Sequence, residues 1–163
     1  MIRITSENEL LGAFREIDRE DVRLPHDMSF PLALKDYVSW MEPSGARVYL
    51  VFQDPGGRGA RGIVFKRTGG SHADGVVQMC QWCHSVRGGN AIGLLTAKAT
   101  KRRRVGVHLC SDLSCKQALL GGPGVNDLRE PFSRYEKLFR VLLKMSEFMS
   151  SSLEPAATDL ALH

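Results

Sequence analysis

Cys80 and Cys83 stand two residues apart, Cys110 and Cys115 four apart, and 26 residues lie between the pairs. Four thiols spaced in this way constrain the fold more than any other feature of the chain. A two-residue spacer lets the backbone turn back on itself so that both sulfurs of a pair point at one centre, and a second pair closes a tetrahedron around it. Zinc favours that donor set, with four thiolates and no position left for water. Four unrelated core cysteines are the plain alternative, because free cysteine is a common buried residue. Two close pairs bracketing a hairpin argue against it, and one structural zinc is expected. His84 and His108 adjoin the pairs and are the credible substitute ligands.

The 163 residues suit one ordinary domain with a single core. With 43% hydrophobic and 25% charged residues, the composition indicates neither disorder nor a membrane-embedded protein. No apolar run is long enough to span a bilayer, and the polar start from Met1 to Glu9 lacks a signal-peptide layout, so a cytoplasmic protein is expected. In that compartment paired cysteines favour metal over disulfides. The net charge is +4, and Lys98, Lys101, Arg102, Arg103 and Arg104 concentrate five cations in one acid-free stretch. Such a run is either a solvated turn or a contact for an anionic partner, RNA or an acidic protein. Trp82, inside the first cysteine knuckle, is a candidate partner anchor or a packing residue.

Ser6 and Glu9 form a capping box, and Leu10, Phe14 and Ile17 at helical spacing predict a first helix to about Glu20. A second short helix is expected from Pro31 to Trp40. Strands are expected where Val48, Leu50 and Phe52 alternate, at Ile63 to Lys66, through Val76 and Val77, at Ala91 to Ala97 and at Val105 to Cys110. A short helix follows from Cys115 to Leu120, ended by Gly121 and Gly122. Asp127 and Glu130 then cap a long helix with Phe132, Tyr135, Leu138, Phe139, Leu142 and Met145 as one apolar stripe covering the sheet. The serines at 150–152 and Pro155 suggest a mobile tail.

Two other patterns carry less. Gly57 to Gly62 matches G-x-G-x-x-G, yet the residues after it read as a strand where a dinucleotide site needs a helix. A hairpin loop is expected, with Arg58 and Arg61 free to touch a polyanion. His72 and Asp74 upstream of Cys80 echo the zinc deaminases, but the acid is not Glu and two further cysteines would close the coordination position a catalytic water needs. No catalytic residue is assigned, and a binding module rather than an enzyme is expected.

Three segments carry a family resemblance: Arg61-Gly62-Ile63-Val64-Phe65-Lys66-Arg67, Met79-Cys80-Gln81-Trp82-Cys83-His84, and Val105 to Cys115 with its Cys-Ser-Asp-Leu-Ser-Cys. Together they resemble the C-terminal treble-clef domain of the elongation factor G-binding proteins, the group that includes the FusB-type fusidic-acid resistance proteins. The resemblance implies a zinc-containing α/β domain, with the four cysteines as ligands, that binds elongation factor G or a ribosomal complex containing it. The expected architecture is α+β: an antiparallel sheet with an inserted treble-clef zinc finger, flanked by N-terminal and C-terminal helices. Its parts are an N-terminal helical segment (1–40), the zinc-binding domain (41–149) and the tail (150–163). The rival function is RNA binding through the basic hairpin.

Overall fold

The computed structural model describes residues 1–68, 76–120 and 131–154, with side chains from Arg134 onward in the last stretch. The architecture is mixed helix and antiparallel sheet. Five strands, β3 (Tyr37–Met41), β4 (Arg47–Gln53), β5 (Ala60–Arg67), β8 (Ile92–Lys98) and β9 (Arg104–Cys110), lie in the order β3-β4-β5-β8-β9 with every pair antiparallel. The chain enters through β1 (Ile2–Ile4), α1 (Glu7–Gly12), α2 (Glu16–Arg19) and β2 (Leu32–Leu34). A two-stranded ribbon, β6 (Val77–Met79) with β7 (Val86–Gly88), is inserted between β5 and β8. Helices α3 (Cys115–Leu120) and α4 (Pro131–Glu147) follow, and α4 runs on as a π-helical segment, Phe148–Leu153.

Both faces of the sheet are covered at its centre, along β4 and β5. Val48 to Phe52 in β4 are all buried, as a near-continuous apolar run requires when neither side meets water. Val48, Leu50, Phe52, Ile63 and Phe65 face α4 and the cysteine knuckle. Tyr49, Val51 and Val64 face the N-terminal segment, with Ile4, Leu10, Phe14 and Leu34.

The N-terminal helix is broken where one run to Glu20 was expected. Ser6 caps α1 by accepting from the Glu9 N–H at 3.2 Å, but α1 stops at Gly12. Tertiary pairing outcompetes helical periodicity there: Ala13 C=O accepts from Gly62 N–H at 2.8 Å, and the Phe14 ring lies over Gly62 so closely that an added Cβ would meet it at 2.6 Å. The helix expected between Phe30 and Trp40 is instead strand. Pro31 and the helical spacing of Leu34, Tyr37 and Val38 suggest helix, but Leu32–Leu34 pairs with β1 and Tyr37–Met41 pairs with β4 along its whole length, so tertiary pairing outweighs the local pattern. The boundary drawn at 40/41 thus falls inside β3.

The α4 stripe also divides. Leu138, Val141, Leu142 and Met145 are buried, whereas Tyr135 (68% exposed) and Phe139 (52%) point outward with Leu143. At 3.6 residues per turn, positions 135, 139 and 143 drift onto the neighbouring flank of the helix. Met149 and Leu153 continue the buried face, so the chain stays packed through residue 153 where a tail was expected from 150. Residues 155–163, the glycines at 121–122, the Asp127/Glu130 cap, the His72/Asp74 echo and the Phe132 side chain lie outside the described residues.

Candidate metal centre

The cysteines converge from three elements. Cys80 follows β6, Cys83 closes the turn before β7, Cys110 ends β9 and Cys115 opens α3. The knuckle is a tight backbone turn in which His84 N–H donates to Cys80 C=O and Cys80 N–H to Ser85 C=O, both at 2.9 Å. His84 takes a positive φ of 62° to close it. Gln81 N–H donates to His108 C=O at 2.9 Å, which ties the knuckle to β9. At the second pair Leu113, at φ 58°, turns the chain so that its N–H reaches Cys110 C=O. Burial of the Leu113 side chain holds that otherwise costly conformation.

All four sulfurs lie within 4.8 Å of one another, with Cys80–Cys115 and Cys83–Cys110 each at 3.7 Å. Zinc–sulfur bonds of about 2.3 Å require tetrahedral edges of about 3.8 Å, so the cluster has the size of one zinc tetrahedron. The four thiols do not titrate alike. Hydrogen bonds from Cys110 and then Cys115 lower the Cys80 thiol to about 6, and the same two neighbours, in that order, lower Cys83. Cys115 is pushed up, first by Cys110 and then by Cys80 and Cys83. Cys110 is helped down by Cys115, but Cys80 and Cys83 outweigh that and raise it. Four thiols this close divide their protons, and a bound metal cation lets all four ionise together. The cluster is consistent with one structural zinc and leaves no side open for a reacting water.

Four thiolates around Zn²⁺ carry a formal charge of minus two. Arg87 offsets part of it, its Nη2 lying 3.7 Å from Cys110 Sγ, and Ser85 Oγ is 3.1 Å from Cys83 Sγ. Lys144 on α4 donates to the knuckle carbonyls of Gln81 and Trp82 at 3.3 Å. Tyr37 on β3 is the less expected member. Its hydroxyl donates to Leu113 C=O and accepts from Lys116 N–H, both at 2.7 Å, bridging the turn between Cys110 and Cys115 to the start of α3. Burial, then the nearby Cys115, drives its pKa well above the ordinary tyrosine value, so it remains a hydrogen-bond donor. Tyr37 was hidden because its segment was read as helix. The signal that could have found it was the strand-favouring Tyr37, Val38 and Trp40 just before the turn at Pro43.

The substitute ligands do not join the cluster. His108 is exposed on β9, and the His84 ring lies 2.9 Å from Lys144 Nζ. Trp82 is no surface anchor: it is 5% exposed and packs edge-on against Phe65 and Phe148 at 5.9 and 6.1 Å. Arg61 is likewise unavailable to a polyanion, being buried against Asp54 at 3.3 Å and Glu154 at 2.7 Å. The glycine-rich segment is the β4–β5 hairpin loop, with Gly57 and Gly59 at positive φ, and no helix follows it.

The basic stretch sits at the β8–β9 turn. Lys98 is paired with Asp21 at 2.7 Å, and Arg104 donates to Thr96 Oγ1 and C=O. Lys101, Arg102 and Arg103 are exposed. Because Cys110 is six residues along β9 from Arg104, this tip lies about 20 Å from the metal at roughly 3.3 Å per residue. The two features occupy opposite ends of the hairpin.

Residues 10–151 match the family described as the FBP C-terminal treble-clef zinc-finger. Comparison with curated proteins finds no match. Among solved structures, the fusidic acid resistance protein FusC aligns with a TM-score of 0.52 at 18% identity, over 88% of this chain and 59% of that one. Likeness at that identity concerns the fold, and the chain spans less than two thirds of FusC's length.

Proposed function

Because the chain belongs to the family of the FBP C-terminal treble-clef zinc-finger, we propose that it is a zinc-stabilised protein-binding module whose partner is elongation factor G, free or on the ribosome. The observation that carries this reading is the closed four-sulfur centre. It stiffens a surface instead of exposing a metal to substrate. Cys80, Cys83, Cys110 and Cys115 hold the ion, and the ribbon beside it presents the apolar part of the contact. Val77, Met79 and Val86 are all more than half exposed, and the register pairing Val77 with Gly88 and Met79 with Val86 places them on one face. A ribbon fixed at its turn by a metal loses little freedom on binding, which suits recognition of a large rigid partner. Catalysis is no part of the proposal, since a thiolate held in a closed zinc tetrahedron is a poor nucleophile and leaves no room for an activated water.

Titration calorimetry of the zinc-loaded chain with elongation factor G of the same species tests it. Micromolar or tighter binding, on the order of 8 kcal/mol, is expected. Val77→Glu with Met79→Glu should abolish the heat while leaving the metal bound. No heat at saturating concentrations, with no co-sedimentation on factor-bearing ribosomes, would refute the reading.

A further inference from the structure

We infer that the end of the sheet remote from the zinc is a phosphate-binding surface that takes the backbone of a single-stranded RNA. Strand register brings its residues together. Arg47 pairs with Lys66, Lys66 with Thr96, Thr96 with Gly106, and Lys98 with Arg104. Directly opposed residues of antiparallel strands share a face, so Arg47, Lys66, Lys98 and Arg104 all project to the side that α2 covers only in part. Between α2 and these strands lies a cavity of about 130 Å³, lined by Asp18, Asp21, Val64 and these four cations.

The charges do not cancel. Asp18 is taken by Arg15 at 2.8 Å, and Asp21 by Lys98 at 2.7 Å with Arg47 at 3.6 Å. Glu42, beside the cavity, is taken by Arg47 at 3.4 Å. Among the described residues Lys66 has no side-chain partner, and Arg104 uses Nε and Nη2 on Thr96 but has no partner at Nη1. Immediately beyond Arg104, the exposed Lys101, Arg102 and Arg103 side chains are also without partners among the described residues. Like charges held this close without counter-charges raise the energy of the free protein, and a bound anion relieves it.

The arrangement selects a repeating phosphate over a lone carboxylate. Lys66 and Arg104 reach the cavity from different strands with donors that no carboxylate among the described residues takes up, and a phosphate group offers oxygens in several directions to meet both. Three further cations then continue along the turn, as a chain of phosphates requires. The cavity admits one such group, and among the described residues its lining holds no aromatic ring for reading bases. Binding should therefore ignore sequence and depend steeply on salt.

Fluorescence anisotropy with a labelled oligouridylate of about ten nucleotides tests this on the full zinc-loaded chain. With Lys66, Lys101, Arg102, Arg103 and Arg104 each neutralising one phosphate, log K against log salt should slope by about −3.5, at about 0.7 per contact. Affinity should then fall about 130-fold between roughly 50 and 200 mM salt. The cavity variant Lys66→Ala with Arg104→Ala, and separately the tip variant Arg102→Ala with Arg103→Ala, should each reduce the slope to about −2.1. Melting temperature is recorded for each variant, and Lys66→Ala alone, at an exposed and unpartnered residue, should lower the slope by about 0.7 with melting unchanged. Absence of binding at about 50 mM salt, or a slope that neither variant moves, would overturn the inference. So would a poly-glutamate peptide displacing the RNA at equal charge concentration, which would assign the surface to an acidic protein. None of these outcomes depends on elongation factor G, so this inference and the proposed function stand or fall separately.

Discussion

Replacing Tyr37 with Phe removes one oxygen from the core and leaves two backbone groups of the zinc-binding turn without partners. The ring stays, so no cavity opens and the Lys116 ammonium, 5.2 Å from the ring centroid, keeps its contact. What is lost is the hydroxyl bridging Leu113 C=O and Lys116 N–H, each at 2.7 Å. A buried backbone group left unpaired costs about 1–3 kcal/mol. Water can reach part-buried Lys116 and offset some of this, whereas Leu113 is 1% exposed. The sum comes to about 3 kcal/mol, or about 6–12 °C in melting temperature for a chain of this size. The turn also aims Cys110 and Cys115, and loss of a group that orients ligands typically weakens metal affinity by about 10–100-fold. Denaturant unfolding of the holoprotein and a chelator competition measure the two effects. If Tyr37→Phe unfolds within about 0.5 kcal/mol of the parent and releases metal at the same chelator concentration, the bridge is not what holds the second cysteine pair.

Trp82→Ala should destabilise by about 3–5 kcal/mol in the same assay, as loss of a packed aromatic core residue does; a surface anchor would leave stability unchanged. Gly62→Ala should cost about 1–3 kcal/mol by forcing the Phe14 ring, 2.6 Å from the new methyl, off the strand, and calorimetric melting should show it. Burial works to raise the pKa of Asp54, but the Gly56 N–H, the Ser146 hydroxyl and Arg61 outweigh it and hold the carboxyl below its ordinary value. The folded pKa is thus the lower one, so this group's full stabilisation is present above the ordinary aspartate value of about 3.9 and is lost as pH falls below that value and through the lowered folded one. Melting temperature against pH should therefore fall less steeply in Asp54→Asn below roughly pH 4.

The metal centre was the most legible part of the sequence because its rule is local: two short spacers and a strand-to-helix junction at Cys110 to Cys115 determine where sulfurs can point. The β8–β9 hairpin and α3 followed for the same reason. Residues 30–40 were read as helix because Pro31 suits a helix start and Leu34, Tyr37 and Val38 recur at helical spacing, while the strands there form because β1 pairs with Leu32–Leu34 and β4 with Tyr37–Met41. The split of the α4 stripe depends on how the helix is rotated against the sheet, which the shared apolar character of Leu138 and Phe139 does not encode. The basic run was legible as a turn. That it lies at the far end from the zinc, backed by Arg47 and Lys66 from distant strands, depends on register, which no single stretch of sequence carries.

Cys80, Cys83, Cys110 and Cys115 lie where they can close around one zinc ion, and the proposed stiff binding module depends on that closure. X-ray absorption at the zinc edge, with metal content determined on the same purified sample, tests it most directly. One zinc per chain with a shell of four sulfurs at about 2.3 Å is expected, and Cys110→Ser should lose the ion. A shell containing nitrogen or a bound water would contradict the closed centre, and a folded, metal-free chain would contradict the claim altogether.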